Sequence, residues 1–135
     1  MTVKRIHHIN FIVENLEESI VRYEKILGAN VFERDDLPQR GVVTARAKIG
    51  EQWFVLVQPV DFDLPPGKHL LDKGEGFFLM SFEVESMEDA VSELDSKGIS
   101  CTTNSDRKGL LNWWVRDLDK KATSGEQLQL CEERA

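Results

Sequence analysis

The chain has 135 residues, enough for one domain that buries a sizeable core without disulfide or metal staples. Its formal net charge of −7 argues against nucleic acid and acidic membranes as partners, because both need clustered lysine and arginine. Cys101 and Cys131 lack the close spacing of a zinc or redox motif, and no apolar run approaches the roughly 18 to 20 residues that span a bilayer, so a soluble cytoplasmic protein with reduced thiols is expected.

Ile6 to Val13 is rich in β-branched and aromatic residues and predicts a strand, with Ile9, Phe11 and Val13 on one face and His8, Asn10 and Ile12 on the other. His7 is expected to face away from His8. A helix follows: Asn15 caps it, Glu18 takes the capping-box position, Leu16, Ile20, Tyr23 and Leu27 form the apolar stripe, and Gly28 stops it. Short strands are expected near Ala29 to Glu33, then at Val42 to Ile49 and Trp53 to Gln58. Pro59 to Gly76, with Pro65-Pro66-Gly67, reads as a connector without regular structure. His69 lies in it and has little functional weight. Phe78 to Val84 predicts another strand. Ser86 and Asp89 repeat the cap, Met87, Ala90, Val91 and Leu94 repeat the stripe, and Gly98 repeats the stop. Strands near Ile99 to Thr103, at Leu111 to Arg116 and at Gln127 to Cys131 complete the chain.

The two halves superpose in pattern with a shift of 71 residues, Asn10-Phe-Ile-Val-Glu-Asn matching Ser81-Phe-Glu-Val-Glu-Ser. The expectation is a single α+β domain over 1–135 made of two βαβββ modules, at about 4–60 and 77–133, joined by the connector at about 60–76. The Arg5-Ile-His-His-Ile-Asn-Phe-Ile-Val opening, the duplicated module and the closing Gly125-Glu-Gln-Leu-Gln-Leu resemble the vicinal oxygen chelate superfamily of glyoxalases, epimerases, extradiol dioxygenases and bleomycin-resistance proteins. Within it, Arg40-Gly41-Val42-Val43 and Val57-Gln58-Pro59 are most similar to the methylmalonyl-CoA epimerases. The resemblance implies a mixed sheet curled around a cleft. It also implies one divalent metal held by a histidine on the first strand, a glutamate or glutamine on the last strand of module one, and the same pair in module two.

Carried onto this chain, those four positions are His8, Val55, Leu79 and Gln129. Valine and leucine cannot ligate a metal, so His8 and Gln129 alone remain as metal ligands. One imidazole and one neutral amide lack the anionic ligand that fixes a hard cation. The cofactor expectation is therefore none, or a weakly held zinc, nickel, cobalt or manganese ion. Asn10, Trp53, Val55, Leu79, Ser81, Trp114, Arg116 and Gln129 join His8 as candidate ligand-binding residues. Of Trp113 and Trp114, one must point inward. Arg40, Arg46 and Arg116 offer cations for an anionic group. Glu83 shares its face with Leu79 and Ser81 and is the one carboxylate placed to act as a general base.

Two functions follow. The first is a protein like the bleomycin-resistance members, homodimeric, binding a small organic molecule in an apolar, tryptophan-lined cleft with the metal site degenerate or absent. The alternative is a metal-dependent lyase of the lactoylglutathione lyase kind, or an epimerase of the methylmalonyl-CoA kind, moving a proton next to a carbonyl.

Overall fold

The computed structural model describes residues 2–28 and 31–135. Backbone contacts divide them into two compact units. One spans Ile9–Phe78; the other runs up to His8 and resumes at Leu79–Ala135. Strand β1 (Val3–Ile12) and strand β5 (Gly76–Val84) each contribute residues to both.

In the Ile9–Phe78 unit, β2 (Glu33–Leu37), β3 (Val42–Ile49) and β4 (Gln52–Pro59) pair antiparallel. The β3–β4 hairpin runs from Val42 opposite Pro59 to Ile49 opposite Gln52. Helix α1 (Leu16–Leu27) begins at Asn15, whose side chain accepts the Glu18 N–H, and ends at Gly28 with φ of 76°. Its stripe packs Leu16, Ile20 and Tyr23 on Phe11, Val13, Ala45, Phe54 and Leu56. Phe11 and Val13 therefore lie under the helix, as the alternation of β1 predicts.

The stretch expected to be irregular holds helix α2 (Pro65–Lys73). Proline normally breaks helices by lacking an N–H, but the first turn has no internal acceptor for that N–H, so Pro65 and Pro66 start α2 instead of preventing it. Gly67 lets α2 approach the preceding loop, because a Cβ there would lie 2.5 Å from Phe62 Cα. Gly41 is constrained twice: φ is 68°, and a Cβ would meet Asp61 Cβ at 2.6 Å. Its carbonyl also accepts the N–H groups of Val60 and Asp61. Gly41→Ala is expected to cost about 1.5 kcal/mol, combining left-handed strain with local overpacking. A shift of the urea midpoint at unchanged slope would measure it.

In the other unit, residues 3–8 of β1 accompany β5, β6 (Arg107–Lys108), β7 (Trp113–Asp117) and β8 (Leu128–Glu133). The order is β5-β8-β7-β6, with β5–β8 parallel and the other pairs antiparallel. Helix α3 (Met87–Ser96) repeats the design of α1: Ser86 accepts the Asp89 N–H, and Met87 and Ala90 pack on Val84 and Leu130. The expected strand at Ile99 to Thr103 is reduced to one bridge, Cys101 to Leu118, and the short strand β6 pairs with β7 instead. Its module-one counterpart, expected near Ala29 to Glu33, falls partly on Ala29 and Asn30, outside the described residues; β2 starts at Glu33. Among the described residues no helix is long and apolar enough to cross a membrane.

Candidate functional site

Strand pairing sets one face of the second unit. Gln129, Cys131 and Glu133 alternate along β8 onto a single face; opposite them in register stand Asp117, Val115 and Trp113 of β7, with Ser81 and Glu83 of β5 beside Gln129 and Cys131. Arg5, His7 and His8 of β1 all reach this face: Arg5 meets Glu83 and Glu133, His7 meets Glu133, and His8 meets Gln129.

That arrangement corrects the expectation for His7. It is fully buried, and its ring stands edge-on to Trp113 with centroids 4.7 Å apart, while His8 stacks on the same indole at 4.8 Å. The two-residue alternation of β1 is broken between them, and the two Nδ1 atoms come within 2.8 Å.

The protonation pattern can be followed from its one unambiguous end. A carboxylate only accepts, and Asp117 takes a hydrogen bond from Gln129 Nε2 at 2.8 Å. Burial raises the Asp117 carboxyl, but Arg107 and Gln129 outweigh it and hold the group below its usual range, so Asp117 is ionised. The amide is thereby oriented with Oε1 toward His8 Nε2, 3.0 Å away. An amide oxygen cannot donate, so His8 Nε2 carries the proton and His8 Nδ1 presents a lone pair. Burial first, then the neighbouring His7, brings the His8 pKa down to about 3. His8 is a neutral ring of fixed tautomer.

His7 meets conflicting demands. Its Nε2 lies 3.3 Å from a Glu133 carboxylate oxygen, which favours a proton there, and its Nδ1 faces the lone pair of His8, which favours a proton there as well. A neutral imidazole has one proton. Burial lowers the His7 pKa, with Glu133 opposing, which disfavours the doubly protonated ring. Cys131 completes the cluster: one ligand atom from each of His7, His8 and Cys131 lies within 4.8 Å of the others, and all three residues are buried. Burial pushes the Cys131 thiol up to about 12.

Glu83 sits on the expected face but is not a free base. Burial raises its carboxyl, yet the Arg5 guanidinium at 2.5 Å and Lys4 at 3.9 Å hold it below the usual carboxylate range. A base tied to arginine has lost proton affinity.

The structure brings together His8, Gln129 and the neighbouring Ser81 and Glu83, but not every residue named from sequence. Trp114 and Arg116 lie on the opposite face of β7: the Arg134 guanidinium covers the Trp114 ring at 4.8 Å, and Arg116 pairs with Asp106 at 2.8 Å. The inward member of the tryptophan pair is Trp113. Leu79 is buried. Asn10, Trp53 and Val55 belong to the Ile9–Phe78 unit. There, Val55 is buried, Trp53 carries Arg46 and Lys48 over its ring, and Asn10 keeps a buried side-chain oxygen with no hydrogen bond. Arg46 is tied to Glu33 and Asp35, which removes it as a free cation for an anionic ligand. Sequence reasoning passed over His7, Cys131 and Asp117; adjacent histidines gave the one signal for the first.

The four positions implied for a family metal do not fit a hard divalent ion. Val55 and Leu79 bring aliphatic carbon, and His8 Nε2 and Gln129 Oε1 are engaged with each other.

A family model described as the Glyoxalase/Bleomycin resistance protein/Dioxygenase superfamily matches residues 5–120. The chain belongs to that superfamily. Human mitochondrial methylmalonyl-CoA epimerase is 32% identical over 96 residues, a match covering 70% of this chain and 54% of the enzyme, so the chain spans about half the length of that relative. An uncharacterised protein of Bacillus subtilis, YqjC, is 22% identical over 96% of this chain and 93% of its own length. Among solved structures, methylmalonyl-CoA epimerase from Mycobacterium tuberculosis superposes with a TM-score of 0.91 at 21% identity, over 98% of this chain and 90% of that one. The Streptomyces coelicolor epimerase in complex with 2-nitronate-propionyl-CoA gives the same score at 24% identity, over 99% of this chain and 100% of that one. These likenesses establish the glyoxalase-like α+β fold.

Proposed function

We propose that this chain is a binding member of the superfamily, holding a small organic molecule against apolar and tryptophan side chains without the family's metal chelate. The observation that supports the reading best is the His8–Gln129 bond: the two polar residues left at the four family positions are buried and turned to each other, with Asp117 occupying the amide's other end. A pair satisfied in this way offers a substrate oxygen no electrophile, and proton abstraction next to a carbonyl needs one to hold the developing charge. Glu83, held by Arg5, is a poor base for the same reaction. Homodimerisation and a cytoplasmic setting belong to the same reading; both thiols are free, as a reducing compartment requires.

The second reading is an epimerase acting on an acyl-CoA, favoured by the identity to the human enzyme. Deuterium incorporation at C2 of methylmalonyl-CoA in heavy water separates the two. Chelator-treated protein and protein loaded with cobalt are both expected to leave the exchange rate at background. Titration with CoA thioesters and with cationic aromatic compounds is expected to give a saturable change in tryptophan fluorescence. Metal-dependent exchange that disappears in His8→Ala would replace the binding reading with the epimerase one.

A further inference from the structure

We propose that His7, His8 and Cys131 form a buried site for a borderline-soft metal ion of the zinc class, different from the chelate that the family positions would build. The inference goes beyond the binding role proposed above and does not depend on it.

The facing nitrogens set the problem. Asp117 orients Gln129, Gln129 holds the proton on His8 Nε2, and the His8 Nδ1 lone pair is left pointing at His7. On the other side of His7, a Glu133 carboxylate oxygen stands 3.3 Å from Nε2, a buried nitrogen with no hydrogen bond of its own. His7 can donate from Nδ1 to His8, which leaves its own Nε2 buried and unpartnered, or keep its proton on Nε2 toward Glu133, which sets two Nδ1 lone pairs 2.8 Å apart, a contact that a cation against both relieves. A metal ion resolves the conflict without a second proton on either ring. Two nitrogens at that separation can each lie about 2.0–2.1 Å from one ion, the zinc–imidazole distance, with an angle of roughly 86° at the metal. Opening this angle toward tetrahedral needs a movement of about half an ångström.

The third donor selects the class of metal. Thiolate with two imidazoles is a nitrogen and sulfur set that suits zinc or cobalt and repels magnesium and calcium, which take oxygen. The thiol must lose its proton to bind, and an adjacent dication enforces this even on a buried cysteine. Ser81, buried beside Cys131, has a hydroxyl that can donate to the thiolate. An outer contact of the kind that ligating histidines have is in place for His8, whose Nε2 meets Gln129 backed by Asp117, and a Glu133 carboxylate oxygen stands 3.3 Å from His7 Nε2. A fourth position is left for water or a small anion. His8 serves this site through Nδ1 while Nε2 stays with Gln129, so the loss of Val55 and Leu79 as ligand positions does not weaken it.

Cobalt titration of the chelator-treated full chain tests the site, because a thiolate–cobalt bond gives an intense near-ultraviolet charge-transfer band that nitrogen and oxygen ligands do not. One equivalent is expected to develop the band and zinc to abolish it by displacement. Cys101→Ser should keep the band in full, and this variant leaves every proposed ligand in place, so the thiolate it reports can only be Cys131. Cys131→Ser should lose the band, and His7→Gln should weaken zinc binding by at least about tenfold. Cobalt bound without the band, or a band lost in Cys101→Ser, would overturn the proposal, as would the absence of cobalt binding.

Discussion

Replacing Arg5 with Met is expected to destabilise the protein by about 3 kcal/mol, because it strands a buried carboxylate rather than removing a surface contact. Glu83 is 5% exposed, and Arg5 is its short partner at 2.5 Å; the remaining cation, Lys4, is half-exposed and 3.9 Å away. Screening by water makes the Lys4 contact a weak substitute. Glu133 loses an arginine contact at 3.4 Å in the same variant, which adds to the cost. The companion variant Arg5→Met/Glu83→Leu should recover most of the loss, since two apolar side chains of similar volume carry no desolvation penalty. Urea denaturation of the two variants beside the parent gives both numbers. Equal losses in the single and double variants would mean that the packing of the arginine stem matters and the ion pair does not.

The pair also shows what a sequence can and cannot disclose. Alternation along β5 correctly puts Ser81 and Glu83 on one face, since a strand has a fixed two-residue period. It gives no sign that Arg5, distant in sequence, would stand across from Glu83 and suppress it as a base. Both long helices with their caps are legible because Asn15 with Glu18 and Ser86 with Asp89 are local signals, satisfied within one turn. Helix α2 is hidden because Pro65-Pro66-Gly67 reads as a breaker until its position at the start of a helix is known. The phase of β7 is equally hidden: Leu110-Leu111-Asn112-Trp113-Trp114-Val115 has no alternation, and the strand begins only after Leu111 turns the chain with φ of 47°. That phase decides which tryptophan meets His8. The Cys131 partnership with His7 depends on strands far apart in the chain, and no local pattern encodes it.

Acid should expose the buried histidines before it affects any carboxylate. His8 has a folded pKa of about 3 against 6.5 for the free side chain, so between those values the unfolded chain binds a proton that the folded chain refuses. Unfolding therefore gains protons, and stability rises with pH across that window; the contribution is complete above 6.5 and is lost as pH falls toward 3. Every unit of pH inside the window is worth up to about 1.4 kcal/mol, so at pH 5 His8 alone should cost about 2 kcal/mol relative to pH 7.5. His7 shifts in the same direction, with burial opposed by Glu133, and adds to the slope. The groups facing His8 are His7 from β1, Gln129 and Cys131 from β8, Trp113 from β7 and the Arg107 charge from β6; none of them is a carboxylate that would favour an imidazolium. Asp106, Asp117 and Glu83 also have lowered pKa values, because their arginine partners outweigh burial, and their loss of stability has the same sign. It sets in only below the ordinary carboxylate range, under pH of about 4. Urea midpoints measured in chelator at pH 7.5, 6 and 5 should thus fall before the carboxylates titrate, and His8→Gln should flatten the curve over that interval. An unchanged slope in His8→Gln would place the acid sensitivity on His7 and mean that His8 accepts a proton in the folded state.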